Sequence, residues 1–220
     1  MLSRDFLKKR IVPIDIEGID TISGMLSAFS NTSFQSRNLA RCVEIFTKML
    51  EDPDEPTIFM GLAGAMIPAG MKRVISTLVK RKVVDVIVTT GANAYHDLVE
   101  GFGYYHYKGS PEINDFELYQ RRIDRIYDTF GDEEKYRLVD EKVVTLADRI
   151  RAENSDVVVM SSREFLHELG GLIDREGKEE EKESSFLRNC WQHKVPVFVP
   201  ALCDSSIGLS LTRHYINSIK

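Results

Sequence analysis

The sequence has few cysteines, no excess of basic residues and no long apolar run, and each absence excludes a class of protein. Its three cysteines, Cys42, Cys190 and Cys203, have spacings that fit neither a CxxC metal site nor a disulfide framework. We therefore expect reduced core thiols in a cytoplasmic protein. No pair of histidines has the helical spacing of a metal site, so no metal is predicted.

Charge and hydropathy exclude two kinds of partner. Lys and Arg total 29 against 34 Asp and Glu, and the net charge of −5 offers nucleic acid no general attraction. No stretch approaches the roughly 20 apolar residues that cross a bilayer. Charged residues occupy the N-terminal segment where a secretory signal would be apolar. We expect a soluble cytoplasmic protein that binds neither nucleic acid nor membrane.

What remains is an ordinary globular composition, with 43% hydrophobic and 29% charged residues. A chain of 220 residues suits one large domain. One tract of mixed charge, Asp174 to Ser185, lacks apolar anchors. It is interpreted as a solvated loop or an exposed helix end.

Short apolar runs of strand length alternate with amphipathic segments along the chain. Helical stripes run from Leu39 to Leu50 and onward from Pro68, and the Ser161–Glu164 capping box predicts a further helix start. This alternation predicts an α/β fold with a doubly wound, mostly parallel, Rossmann-like sheet and helices on both faces. The predicted strands are Thr57–Gly61, Val83–Thr89, Asp156–Met160 and Val195–Val199.

In such sheets ligands bind beyond the carboxyl ends of the strands. The first end, Gly61–Gly70, is rich in small residues, which favour either close approach of a phosphate or a tight turn. The second, Thr89–Asp97, holds hydroxyls, a predicted Asn93 N-cap, and His96 and Asp97 in the predicted first helical turn. His96 is functional or structural, and Asp97 is a site residue or a helix-dipole partner.

The last predicted strand is followed by Asp204. A carboxylate at this place binds a ribose hydroxyl or an ammonium group, or else caps the next helix. Polar groups at three strand ends favour a small-molecule or dinucleotide site, and they do not identify a reaction.

Four motifs in these segments give the chain its resemblance to a known family. They are Leu62–Met71, Val86–Gly101, Ser162–Gly171 and Val195–Leu209. Through them the chain resembles deoxyhypusine synthase, its archaeal members in particular, from about Ile11 onward.

The resemblance implies an NAD-dependent transferase that is a homotetramer. Such an enzyme moves the 4-aminobutyl group of spermidine to a lysine of the hypusine-carrying translation factor. The family's chemistry uses NAD as hydride acceptor and an active-site lysine that captures the butyl group as a Schiff base. Spermidine or a related polyamine and the translation factor are the implied partners.

The resemblance also implies residue roles. Tyr95, His96 and Asp97 are implied to bind or support the substrate. Tyr95 and His96 stand where the eukaryotic pattern has two glutamates, and Leu209 where it has a polyamine-binding aspartate. The implied NAD-contacting residues are Ala63, Gly64, Ala65 and Met66, then Thr89, Thr90, Gly91, Ala92 and Asn93, and finally Asp204, Ser205 and Ser206.

The family's catalytic lysine lies well beyond the last motif, whereas this sequence ends at Lys220. We therefore expect residues 1–220 to be a single NAD-binding domain of this family that is truncated at its C-terminus, with the catalytic residue unknown. Two alternatives stay open. One is a homospermidine-synthase-like transferase acting on a free amine, and the other is a non-catalytic pseudoenzyme or structural subunit.

Overall fold

The computed structural model describes residues 7–154 and 158–218. By its internal contacts the chain divides into two compact units, residues 1–56 and residues 57–220. The two units are described separately below.

The first unit is helical. Helix α1 (Ile22–Phe29) begins at Thr21, whose hydroxyl accepts a hydrogen bond from the Gly24 N–H at 3.0 Å. Helix α2 (Phe34–Glu51) packs against α1 and ends before Asp52. The helix predicted from the apolar stripe is thereby confirmed.

The second unit is built on a parallel sheet of strands β1 (Phe59–Leu62), β2 (Val86–Thr89) and β6 (Val197–Phe198), with β2 in the centre. Leu62 of β1 pairs with Thr89 of β2, so these two strands end at the same level. This arrangement confirms the predicted parallel α/β fold.

The prediction of a strand at Asp156–Met160 is wrong for its described part. Asp156 and Val157 lie outside the described residues, and Val158–Met160 form no strand. Val159 is 91% exposed. The apolar run has strand length, but no neighbouring strand in the described chain supplies the ladder that a strand requires.

Helices surround the sheet. The helix predicted from Pro68 onward begins with a short helical segment, Ile67–Met71, in which Gly70 is non-helical with φ +87°, and it continues as the first long helix of this unit. The predicted capping box is present, with hydrogen bonds both ways between Ser161 and Glu164. The helices are α3 (Lys72–Lys80), α4 (Gly91–Gly101), α6 (Glu133–Glu153), α7 (Ser162–Glu176), α8 (Glu179–Lys182), α9 (Phe186–His193) and α10 (Ser206–Ser218).

Between α4 and α6 the chain forms a small antiparallel sheet that the sequence patterns did not predict. Its strands are β3 (Tyr107–Lys108), β4 (Ile123–Ile126) and β5 (Thr129–Asp132), with β5 in the centre and α5 (Asp115–Gln120) preceding β4. Its last residue, Asp132, caps α6 by accepting the Glu134 N–H at 2.9 Å.

Two expectations about burial hold only in part. The tract Asp174–Ser185 is not simply solvated, because Ser184 and Ser185 are 7% and 0% exposed. Ser185 donates its hydroxyl to the Asp97 carboxylate of α4, and Ser184 donates to Glu181 within the tract itself. Cys190 is buried as expected, but Cys42 and Cys203 are free and exposed.

No helix in the described ranges combines the length and apolarity needed to span a bilayer.

Candidate functional site

A cavity of about 570 Å³ opens at the carboxyl edge of the parallel sheet. Each of the three strands contributes the residues at its end, so the cavity lies where ligands bind in open α/β sheets. Five of the residues proposed for the cofactor line it: Ala63, Thr89, Thr90, Gly91 and Asp204. The strand-end prediction is therefore correct in bringing these three segments together.

The first two strand ends are joined by a hydrogen bond. The Thr90 hydroxyl donates to the Gly64 carbonyl at 2.8 Å and, as the N-cap of α4, accepts the Asn93 N–H at 3.4 Å. Gly64 has φ +63°, a conformation that favours glycine. The small residue at position 64 thus serves the turn, which was one of the two interpretations of this segment.

Asn93 is not the N-cap that the sequence predicted. It is the third residue of α4, is fully buried, and accepts the Ile67 N–H at 3.2 Å. Its amide donates to the Thr89 hydroxyl at 3.2 Å. Asn93 therefore holds the first strand-end loop against α4, and its side chain is already occupied.

The second and third strand ends touch at Gly91 and Ser205. A Cβ atom at Gly91 would lie 2.4 Å from the Ser205 Cβ. The Ser205 hydroxyl is anchored, because it donates to the Leu202 carbonyl at 2.6 Å. A glycine is required at position 91 for this approach.

Asp204 is exposed at the cavity. It does not cap α10, which begins at Ser206 and whose first turn is served by Ser205, the acceptor for the Gly208 N–H at 3.4 Å. Among the described residues none donates a hydrogen bond to the Asp204 carboxylate. Its oxygens are therefore available to a ligand.

The remaining cofactor candidates lie beside the cavity without lining it. Met66 is 37% exposed and Ala65 half-buried in the first loop, while Ala92 and Ser206 are half-buried at the starts of α4 and α10.

Asp97 lies in the second turn of α4, not the first, and belongs to a different environment. Its carboxylate is fully buried and accepts the Ser185 hydroxyl at 2.7 Å, the Leu187 N–H at 2.9 Å and the Phe186 N–H at 3.2 Å. Burial raises the pKa of Asp97 to about 6, although these hydrogen bonds to the carboxylate act to lower it. Asp97 thus caps α9 from a neighbouring helix.

His96 begins a chain of buried polar contacts. Its Nδ1 lies 2.9 Å from the Nε2 of His106, and the Nδ1 of His106 lies 2.8 Å from Glu100. The other oxygen of Glu100 lies 2.8 Å from the Lys72 Nζ, which also contacts Glu181 at 2.7 Å. We call His96, His106, Glu100, Lys72 and Glu181 the buried relay.

The charges of the buried relay follow from these contacts. Burial alone would lower the pKa of Lys72, but its two carboxylate partners raise it above the ordinary value. Burial opposes ionisation of Glu100, yet His106 and Lys72 lower its pKa. Burial, assisted by the neighbouring His106, lowers the pKa of His96 to about 3. At neutral pH the relay therefore holds a charged lysine, an ionised Glu100 and a neutral His96.

Tyr95 packs beside the relay. Its hydroxyl donates to the Tyr136 carbonyl at 2.9 Å. The pKa of Tyr95 is raised, mainly by burial and further by the nearby Asp140 carboxylate. The rings of Tyr136 and His96 meet edge to face, with centroids 5.7 Å apart. Tyr95 and His96 thus share an aromatic cluster away from the strand-end cavity.

Sequence patterns missed Lys72, Glu100 and Glu181 as members of a buried group. Each lies on a helix whose pattern places it among ordinary polar positions, and the network joins residues up to 109 positions apart. His106 carries a signal, since it lies in the aromatic run Gly103–Tyr107 that follows the predicted His96 helix. Within residues 7–154 and 158–218, no three His, Cys, Asp or Glu side chains cluster as metal ligands.

Several known proteins are similar in sequence to this chain. The family model "Deoxyhypusine synthase" matches residues 24–219. A protein named "Probable deoxyhypusine synthase 2" from Methanosarcina acetivorans is 41% identical over 207 residues, 94% of this chain and 57% of that protein. A "Deoxyhypusine synthase-like protein" from Coxiella burnetii is 36% identical over 222 residues, 99% of this chain and 61% of that protein.

The fold has a counterpart among solved structures. The structure of "a putative deoxyhypusine synthase from Entamoeba histolytica" superposes with a TM-score of 0.66 at 20% identity, over 96% of this chain and 68% of that one. The chain spans 57% and 61% of the length of the two relatives above. On the family match and these identities, the chain belongs to the deoxyhypusine synthase family.

Proposed function

We propose that this chain supplies the NAD-binding sheet of a deoxyhypusine synthase. The enzyme would transfer the 4-aminobutyl group of spermidine to a lysine of the hypusine-carrying translation factor. The observation that carries the proposal is the cavity at the ends of β1, β2 and β6, which three family motifs line together.

The residues present fit a dinucleotide. Gly61 leaves open space, because a Cβ atom there would have no neighbour within 4 Å. Helix α4 begins at the cavity, and main-chain N–H groups at a helix N-terminus suit a phosphate. The exposed Asp204 carboxylate suits a ribose hydroxyl.

When bound, NAD would supply hydride acceptance from the amine-bearing carbon. The chain's own residues would bind and orient it. Asp204 would accept hydrogen bonds, while Thr90 and Asn93 would keep the first loop and α4 in register. The apolar strand ends, such as Leu62 and Val199, would exclude water from one side of the cavity.

NAD binding by the purified 220-residue protein tests this site. We expect saturable binding by calorimetry, and Asp204→Asn to weaken it by roughly tenfold, the effect of a lost charge-assisted hydrogen bond. Asp128→Asn, at an exposed carboxylate in the β4–β5 turn, serves as the matched control and should bind as the parent does. Unmeasurable binding, or equal binding by Asp204→Asn, would contradict the assignment.

The acceptor is tested with the longest native form of the protein. It is incubated with NAD and spermidine labelled in the aminobutyl group, with and without the hypusine-carrying factor. Label on the factor supports the proposal. Label confined to small amines would replace it with a transferase acting on a free amine.

A further inference from the structure

The buried relay has one end without a partner. His96 is 9% exposed, and its Nδ1 contacts His106, whereas its Nε2 makes no hydrogen bond to any residue in the described ranges. The other end is fixed by charge, since Lys72 joins two carboxylates. The contact at Nδ1 therefore fixes the orientation of the His96 ring and of its unpaired Nε2 atom.

The positions of the hydrogens follow from donor and acceptor chemistry. An ionised carboxylate only accepts, so the Nδ1 of His106 must carry the hydrogen that bonds to Glu100. In a neutral His106 the Nε2 is then an acceptor. The His96 Nδ1 must donate to it, which leaves the Nε2 of a neutral His96 with a free lone pair.

We propose that Glu100 and His106 are positioning residues that hold His96 in its Nδ1–H tautomer, so that His96 Nε2 accepts a hydrogen bond from an amine or ammonium group. The choice of an amine as ligand rests on the proposed function. The tautomer does not, because it follows from contacts within the free protein.

The tautomer is measured by NMR on the 220-residue protein labelled with ¹⁵N in its histidine rings. At pH 8 we expect a pyridine-like shift for His96 Nε2 and a pyrrole-like shift for Nδ1. His106→Phe removes the acceptor and should shift His96 toward the Nε2–H tautomer. His106→Gln places an amide oxygen within reach of the lost Nε2 position and should restore the Nδ1–H form.

His214→Gln is the matched control. It removes another histidine–carboxylate contact, His214 Nδ1 to Asp148 at 2.6 Å, outside the relay, and should leave the His96 signals unchanged. If His106→Phe does not fold, His106→Gln and the tautomer of the parent protein at pH 8 still test the assignment. A His96 Nε2–H tautomer in the parent at pH 8, or a folded His106→Phe with unchanged His96 shifts, would overturn it.

Adding spermidine separates this inference from the proposed function. If spermidine changes the His96 Nε2 chemical shift, and if its apparent affinity in this titration falls at least severalfold in His106→Phe, the result supports both the tautomer and the proposed function. The Nδ1–H tautomer without any response to spermidine would keep the relay and reject the amine as its ligand.

Discussion

Lys72 Nζ and Glu100 Oε2 lie 2.8 Å apart with side chains only 8% and 15% exposed. Lys72 is also 2.7 Å from Glu181, so one buried ammonium group is the shared partner of two carboxylates. A buried charge that loses its partner keeps its desolvation cost without the compensating attraction. The stability of this region therefore depends on Lys72 far more than that of an exposed pair would.

Lys72→Met should lower the free energy of unfolding by about 3–5 kcal/mol, the range for breaking a buried pair from one side. Urea unfolding followed by circular dichroism measures it. Lys80→Met, on the same helix, is the matched control, because the Lys80–Glu183 pair at 3.1 Å is 36% and 75% exposed. It should cost no more than about 1 kcal/mol, and equal losses in both variants would contradict the argument.

Asp97 predicts a pH dependence of stability. Its pKa in the folded protein is about 6, above the ordinary 3.8, so the folded state binds its proton more tightly than the unfolded state. The stabilising contribution of the protonated form is complete below pH 4 and is lost as the pH rises through 6. The shift corresponds to about 3 kcal/mol.

Asp97→Asn removes this titration. Subtracting its free energy of unfolding from that of the parent, measured by urea between pH 4 and 7, should give a difference that falls as the pH rises. Asp128→Asn, at an exposed carboxylate, should keep the slope of the parent. A flat difference between the parent and Asp97→Asn would reject the raised pKa.

Two buried tyrosines differ in what their hydroxyls do. Tyr95 donates to a carbonyl at 2.9 Å, whereas the Tyr136 hydroxyl is buried without a partner in the described chain and lies against Gly131. Tyr95→Phe should therefore cost about 1 kcal/mol by removing a buried hydrogen bond, whereas Tyr136→Phe should be neutral or stabilising. Thermal unfolding compares them, and a larger loss for Tyr136→Phe would show that its hydroxyl has a partner.

Local patterns predicted the elements of the sheet and its ligand edge because they depend on nearby residues. The β-branched run before Thr89 and the capping box at Ser161 act over a few positions, and both formed as predicted. The run at Val158–Met160 has the same local character, yet a strand also needs a neighbour to pair with, which composition does not report. An apolar run of strand length therefore forms a strand only where a neighbouring strand is available to pair with it.

The candidate site also contains some residues that local sequence rules predict and others that they do not. The exposed Asp204 and the cavity-lining Thr90 follow from the position of strand ends, a topological rule. Asp97 and His96 do not, because their roles depend on groups brought from α9 and from the segment before β3. A buried carboxylate that caps a distant helix and one that binds a ligand look alike in sequence.

The contact between Gly91 and Ser205 predicts a coupled effect on stability and on the site. A Cβ at position 91 would lie 2.4 Å from the Ser205 Cβ, and the bond from Ser205 to the Leu202 carbonyl resists displacement. Gly91→Ala should cost about 1–3 kcal/mol through overpacking and weaken NAD binding by moving α4 away from the third strand end.

The added cost of Gly91→Ala should fall in a Ser205→Gly background, because the clashing atoms are gone, and a double-mutant cycle of unfolding free energies measures this coupling. Gly61→Ala is the control, since a Cβ there would meet nothing within 4 Å. It should change the free energy of unfolding by less than about 1 kcal/mol. Additive effects of Gly91→Ala and Ser205→Gly would mean that these two strand ends do not meet at Gly91, and the cavity assigned to the dinucleotide would lose one of its walls.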